Sequence, residues 1–299
     1  MNVVADVDVG ADTHTGRVRS TNEDDYLVYC PEDPATRSAV GLLFAVADGM
    51  GGATGGGEAS RAAIRALAGA FAESDGEGPE ARMTRGFAAA CERLWHLARE
   101  QPRLRDMGTT LTAVNLLGDR IVVGHVGDTR CYVLRGGELR QLTVDHAVRR
   151  ADHQLTRCIG AGREREEIDV ITSTVQPGDV LVLASDGLWD AVDPETLAHV
   201  VRRMRPQAAA EELVRLAVEA GGVDNCTAVV VALRGCGDPG RAALVPCRIP
   251  GRELVRLPRV TAELPALRRP RWPWVVLALA FVLAGLAAAR MLLGAGTWA

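Results

Sequence analysis

The sequence predicts an α+β fold: an antiparallel β-sandwich flanked by helix pairs on both outer faces (α-β-β-α), followed by a single C-terminal transmembrane helix. Three observations carry this expectation. β-rich segments follow one another across turns too tight for crossovers, at Gly118-Asp119, Gly127-Asp128 and Gly136-Gly137, so neighbouring strands must run antiparallel. Two pairs of helical patterns interrupt the strands, one after residue 60 and one after residue 193. From Trp274 onward Arg290 is the only charge, and about 20 apolar residues suffice to span a bilayer.

Taken in order, the first 30 residues mix short alternating segments with Thr, Asn and Asp and end in the strand-like Tyr26-Leu27-Val28-Tyr29-Cys30. Val40 to Ala47 is a short continuous apolar run, which reads as a buried strand. Asp48 stands where that strand leaves the core. Gly49, Gly51 and Gly52 then let the backbone turn and expose carbonyl oxygens beside the carboxylate. Ala62, Ala63, Ile64, Leu67, Ala68 and Phe71 fall at helical spacing, and Met83, Phe87, Cys91, Leu94 and Ala98 share one face of a second helix. Leu111 to Leu117, Ile121 to Val126, Cys131 to Leu134, Ile168 to Val175, Val180 to Ala184 and Cys226 to Leu233 read as strands. Between the last two lie helices opening at Asp193-Pro194, an N-cap followed by proline at the first helical position, and at Pro206. Gly221-Gly222 closes the second of these.

These signals divide the chain into a folded domain over 1–234, a Pro/Arg-rich linker over 235–271 and a transmembrane helix over 272–297. Pro239, Pro246, Pro250, Pro258, Pro265 and Pro270 deny the linker any long helix or strand. Arg268, Arg269 and Arg271 precede the apolar segment and nothing basic follows Arg290, which places the N-terminal domain in the cytoplasm of a single-pass protein of the cell membrane. No secretory signal is visible at the N-terminus. The hydrophobic share of 47% allows a sizeable core, and the net charge of −4 argues against nucleic-acid binding. Seven scattered cysteines without a Cys-x-x-Cys pair favour reduced thiols over a disulfide framework or zinc site.

The chemistry lies in acidic residues that share one context, a strand end or turn beside Gly or Asn. They occur in Arg19-Ser20-Thr21-Asn22-Glu23-Asp24-Asp25, Ala47-Asp48-Gly49, Ser185-Asp186-Gly187 and Val223-Asp224-Asn225, with a fifth in Gly127-Asp128-Thr129-Arg130. A lone Asp-Gly at a strand end is usually only a turn. Recurrence changes that reading, because carboxylates gathered at one end of a sandwich repel one another unless a cation neutralises them. Carboxylates with bare carbonyls suit hard divalent cations such as Mg²⁺ or Mn²⁺.

Together with Gly108-Thr109-Thr110, Asp48-Gly49-Met50-Gly51-Gly52, Ala184-Ser185-Asp186-Gly187-Leu188-Trp189-Asp190 and Asp224-Asn225-Cys226-Thr227, these segments resemble, in order and spacing, the bacterial branch of the metal-dependent protein phosphatases of type 2C, over about residues 8–234. The resemblance implies a phosphoserine/phosphothreonine protein phosphatase that uses two Mn²⁺ or Mg²⁺ ions. Asp48 would bridge the two ions, with the Gly49 carbonyl on one and Glu23 reaching it through water. Asp186 and Asp224 would hold the other ion, Asp24 would support them, and Asp128 with Asp186 would form a weaker third site. Arg19 would grip the substrate phosphate, completing a catalytic set of Arg19, Asp48, Asp186 and Asp224. An activated water would attack phosphorus in line, without a phosphoenzyme. The implied partners are phosphoproteins, a Ser/Thr kinase and that kinase's substrates.

Three departures from the family pattern stand out. His14 occupies a position that is usually Asp, as either a tolerated turn residue or a proton donor near Arg19. Met50 and Ala53 stand where relatives carry His, which leaves the leaving-group acid open. Only about eight residues separate Asp145-His146 from Leu155-Thr156, where the family carries a much longer flap, so substrate choice or third-ion binding is expected to differ. Two alternatives stay open: a catalytically silent phosphoprotein-binding module, and hydrolysis of small phosphate esters.

Overall fold

The computed structural model describes residues 6–51, 55–73, 76–148 and 154–235. The chain separates into two units, 1–256 and 257–299, and all described residues belong to the first. The expected transmembrane helix over 272–297 and all but the first residue of the expected linker lie outside the described residues. Among the described residues no helix is long and apolar enough to cross a membrane.

The strands are β1 (Asp6–His14), β2 (Asp25–Tyr29), β3 (Leu42–Ala47), β4 (Gly49–Met50), β5 (Gly108–Thr109), β6 (Leu111–Leu117), β7 (Arg120–Val126), β8 (Arg130–Arg135), β9 (Glu138–Gln141), β10 (Ile159–Gly160), β11 (Asp169–Thr174), β12 (Val180–Ala184) and β13 (Cys226–Gly235). The helices are α1 (Pro34–Val40), α2 (Gly56–Ala72), α3 (Pro79–Glu100), α4 (Asp186–Trp189), α5 (Pro194–Arg203) and α6 (Pro206–Glu219). One five-stranded sheet has the order β1-β13-β12-β8-β9, the other β11-β7-β6-β3-β2, and every pairing is antiparallel. A small third sheet, β10-β5-β4, was not expected from the sequence. Its strands are two residues long, too short for any periodicity to register.

Period-two alternation builds the layers. Leu181 and Leu183 of β12 and Val229 and Val231 of β13 face the other sheet, where Phe44, Val46, Val114 and Val123 meet them. The intervening Val182, Ala184 and Val230 face outward onto Leu197, Val200, Leu213 and Val214 of α5 and α6. Buried on both faces, these strands read as continuous apolar runs. On the opposite side α2 and α3 cover the second sheet, burying Ile64, Leu67 and Phe71 of α2 and Met83, Phe87 and Leu94 of α3. The α-β-β-α expectation holds.

Helix α5 starts where expected: the Asp193 side chain accepts hydrogen bonds from the Glu195 and Thr196 backbone N–H groups, with Pro194 at the first position. The same arrangement at Asp33-Pro34 opens the short α1, which the sequence reading missed. The apolar run therefore does not begin its strand at Val40; that residue ends α1, Gly41 closes the helix and β3 begins at Leu42.

Glycines mark the closest layer contacts. A Cβ on Gly10 of β1 would lie 2.2 Å from the Gln207 nitrogen and 2.3 Å from the Pro206 carbonyl carbon, so α6 sits directly on that strand. Gly69 of α2 has nothing within 4 Å of a built Cβ. The two positions predict opposite outcomes of one chemical change. Gly10→Ala is expected to destabilise by about 2 kcal/mol or more through forced separation of helix and strand, whereas Gly69→Ala is expected to stabilise by about 0.5–1 kcal/mol through lower unfolded-chain entropy; thermal or denaturant unfolding of the two variants checks the signs.

Candidate metal centre

Strand register brings the acidic motifs to one end of the sandwich. Asp25 pairs with Ala47 across β2 and β3, which sets Asp24 and Asp48 at the same edge. Ala184 pairs with both Ala228 and Arg130, bringing Ser185-Asp186, Asp224-Asn225 and Asp128-Thr129 to that edge. Leu111 pairs with Val126, placing Thr110 beside Gly127.

Asp48 is fixed through its backbone. Its N–H donates to Thr110 Oγ1 at 3.0 Å, and its carbonyl oxygen accepts from Thr109 Oγ1 at 2.8 Å and from the Thr110 N–H at 2.9 Å. The Gly108-Thr109-Thr110 motif thus holds the strand end that carries the carboxylate. Beside it, a Cβ on Gly56 would lie 2.7 Å from the Gly49 carbonyl oxygen and 2.8 Å from the carboxyl carbon of Glu23. A glycine at the start of α2 therefore lets the two expected partners of one ion approach a common point. Glu23 is held in turn by Asn225, whose Oδ1 accepts the Glu23 N–H at 2.8 Å, and by Ser60, which donates to the Glu23 carbonyl at 2.6 Å.

Asp24 is buried and accepts from Ser185 Oγ at 2.8 Å and Thr227 Oγ1 at 2.6 Å, all through Oδ2. Burial raises its carboxyl to about 7 despite these donors, with repulsion from Asp186 and Asp224 adding to the effect. Asp48 keeps some contact with solvent, yet its carboxyl is pushed well above the usual carboxylate range, first by desolvation and then by Asp24, Asp186 and Asp128. Asp186, at the start of α4, is also raised, chiefly by burial, with Asp224 opposing its ionisation. Asp48 and Asp186 lie close enough for each to act on the other's ionisation. At the rim Arg19 Nη2 donates to Asp224 Oδ2 at 2.6 Å.

Every expected site residue, Arg19, Glu23, Asp48, Gly49, Asp128, Asp186 and Asp224, lies at this end. Among the described residues no group of three Asp, Glu, His or Cys side chains is arranged to hold an ion as it stands. At the rim the Arg19 guanidinium supplies positive charge to Asp224. The donor set nevertheless fits a hard divalent cation. The buried Asp24 Oδ1 and Asp186 Oδ1 lack any hydrogen-bond partner, a state that ordinarily costs about 1–3 kcal/mol per group and that cation coordination in the cluster would relieve.

The positions flanking the site resolve other expectations. His14 Nδ1 accepts the Gly16 N–H at 2.8 Å, so the exposed ring closes a turn. The shortened flap begins and ends as a hairpin: Ala147 bridges Leu155, the Val148 N–H donates to Gln154 O at 2.9 Å, and the Thr156 N–H donates to His146 O at 2.8 Å. Residues 149–153 lie outside the described residues. Arg130 anchors its base by a two-pronged contact with Asp145, and its guanidinium stacks 3.4 Å from the Trp189 ring centroid. Trp189 Nε1 donates to the Asp128 carbonyl at 3.0 Å, which ties Gly127-Asp128-Thr129-Arg130 to Asp186-Gly187-Leu188-Trp189. Sequence reasoning gave no role to Ser60, Ser185, Asn225 or Thr227; the latter three lie inside the quoted motifs, but their partners are distant in sequence.

The sandwich and its acidic end define a protein phosphatase of type 2C, and the Protein phosphatase 2C family model matches residues 15–218, a span that includes every expected site residue except Asp224. The chain belongs to this family. It is 31% identical over 296 residues to the serine/threonine protein phosphatase PstP of Mycobacterium tuberculosis strain H37Rv, an alignment covering 86% of this chain and 54% of PstP, so the chain spans about half of that relative's length. It is 30% identical over 243 residues to the serine/threonine phosphatase stp of Listeria welshimeri, across 73% of this chain and 93% of the relative. A solved structure of the PstP catalytic domain in complex with two manganese ions matches with a TM-score of 0.67 at 32% identity, over 76% of this chain and 98% of that one.

The raised carboxyls set a pH dependence. A carboxyl whose pKa is higher in the folded state binds more protons folded than unfolded, so its contribution to stability is present in acid and lost as pH rises. For Asp24 the window runs from the unfolded value of about 4 to the folded value of about 7. Metal-free protein is expected to lose stability between pH 5 and 7, with a shallower loss in Asp24→Asn, whose amide oxygen still accepts from Ser185 and Thr227. Melting temperatures of both proteins across that range, in a chelating buffer, check the sign.

Proposed function

We propose that this chain is a protein serine/threonine phosphatase that hydrolyses phosphoserine and phosphothreonine and is anchored to the cytoplasmic membrane by its C-terminal segment. The observation that carries the reading is the convergence of Asp24, Asp48, Asp128, Asp186 and Asp224 at one sandwich end beside the exposed Arg19, with the ionisation of Asp24, Asp48 and Asp186 opposed by burial and by neighbouring carboxylates. Mn²⁺ is the cation found in the related PstP domain.

Glu23, Asp48, the Gly49 carbonyl, Asp186 and Asp224 would hold two Mn²⁺ or Mg²⁺ ions, with Asp128 and Asp186 contributing a weaker third site. Bound there, the ions supply an activated water and offset negative charge on the phosphoryl oxygens. Arg19 is half-exposed and on the rim, where its planar fork meets a phosphate arriving from solvent. Its exchange of Asp224 for a phosphate would free that carboxylate for a cation. Thr109 and Thr110 keep Asp48 from drifting with the glycine turn, and Asp24 orients Ser185 and Thr227 around the start of α4 and β13. Phosphoproteins generated by a Ser/Thr kinase are the substrates this chemistry suits.

Two measurements test this. Full chain supplied with Mn²⁺ is expected to release phosphate from a phosphothreonine peptide, with Asp48→Ala and Asp224→Ala each lowering kcat/KM by about a hundredfold or more; a folded chain that turns over neither this peptide nor a small phosphate ester would favour the silent binding module. For the anchor, the full chain expressed in bacteria is expected to sediment with membranes, and paired Ala278→Asp and Phe281→Asp substitutions to move it into the soluble fraction. Equal membrane association of both forms would contradict the anchor.

A further inference from the structure

Two of the most exposed large apolar side chains among the described residues are Val18, at 69%, and Val223, at 70%. Each immediately precedes one member of the Arg19–Asp224 ion pair. They are not scattered independently over the surface. The Arg17 and Val18 N–H groups both donate to the Gly222 carbonyl, at 2.6 and 3.3 Å, so the two turns form one ledge.

The ledge is rigid for identifiable reasons. Gly16 has φ +81°, and a Cβ there would lie 2.3 Å from the Asp224 carbonyl oxygen and 2.7 Å from that of Gly222. Gly222, at φ +56°, also approaches the Arg17 nitrogen, with a built Cβ at 3.0 Å. Asn225 Nδ2 ties the same turn down by donating to the carbonyls of Thr15 and Thr21 at 2.8 and 3.0 Å. A pair of valines held in water on such a base, adjoining the charged rim, is a preformed apolar contact surface.

We propose that the Val18–Val223 ledge selects substrates by binding an apolar side chain next to the phosphorylated serine or threonine. This rests on the phosphatase reading and on continuity with the site. Val18 and Val223 are each next in sequence to a member of the Arg19–Asp224 pair, and consecutive Cα atoms are about 3.8 Å apart, so a peptide whose phosphate reaches Arg19 carries its flanking residues into the neighbourhood of the two valines. Burial of the two valines against that side chain strengthens binding of substrate and transition state alike, so the effect appears mainly in KM.

The test compares phosphothreonine peptides that differ only in Leu or Ser flanking the phosphothreonine, with full chain and Mn²⁺. Wild type is expected to prefer the Leu-flanked peptide by about fivefold in kcat/KM, mostly through KM. The double variant Val18→Ser, Val223→Ser is expected to bring that ratio near one, while Val18→Ile with Val223→Ile keeps it and Met204→Ser, an exposed apolar residue at the end of α5, leaves it unchanged. A wild type without preference, a preference for acidic flanks at the exposed Arg17, or a preference that survives in the double serine variant overturns the ledge. Absence of turnover on peptides and on p-nitrophenyl phosphate alike overturns the phosphatase reading itself, and the ledge with it.

Discussion

Electrostatic repulsion among buried carboxylates is the constraint around which this molecule is arranged. Asp24, Asp48 and Asp186 sit where water is scarce, and each has its ionisation opposed by burial and by its neighbours. A chain optimised for stability alone would place small apolar groups there, since clustered charge without a compensating cation is unfavourable. The strain is tolerated because the sandwich on which these residues sit is apolar through three layers. Leu181, Leu183, Val229 and Val231 fill the inter-sheet core while Val182 and Val230 secure α5 and α6, so that strand ends are held by the strands behind them.

Holding the carboxylates is distributed over hydroxyls and amides that carry no charge. Thr109 and Thr110 fix the Asp48 backbone, Ser185 and Thr227 fix Asp24, and Asn225 links Glu23 to both the Thr15 and Thr21 carbonyls. Gly49 and Gly56 approach each other so closely that a built Cβ on Gly49 would lie 2.2 Å from the Gly56 carbonyl oxygen. The site is thus prearranged by backbone contacts, with side-chain pairings that a cation can replace. On the rim, Arg19 and the ledge beside it face solvent, where an incoming phosphorylated chain arrives.

Much of this was legible in the sequence where one residue's environment is set by its near neighbours. The continuous runs of β6 and β12 appeared with their observed limits, and Asp193-Pro194 announced α5 through its own cap. Strand β1 was not read as a single strand because Gly10 interrupts it; that glycine answers to Pro206 and Gln207 of α6, almost 200 residues away. Strand β9 is polar and lies at a sheet edge, so Glu138 to Gln141 gave no apolar signal. At the site, the acidic positions were legible because Asp beside Gly at a strand end recurs. The pairing of Arg19 with Asp224 was not, since it depends on strand register and on charge in the folded state. The anchor expectation rests on residues 272–297, outside the described part of the chain.

This acidic end is built for divalent cations. Calorimetric titration of Mn²⁺ into the metal-free full chain at pH 7.5, in two buffers of different ionisation enthalpy, addresses it most directly. Two ions are expected to bind with release of protons, since the carboxyls of Asp48 and Asp186 are raised in the metal-free chain, and Asp48→Asn is expected to lose the two-ion binding. Failure of a folded wild-type chain to bind Mn²⁺, or binding unchanged by Asp48→Asn, would contradict it.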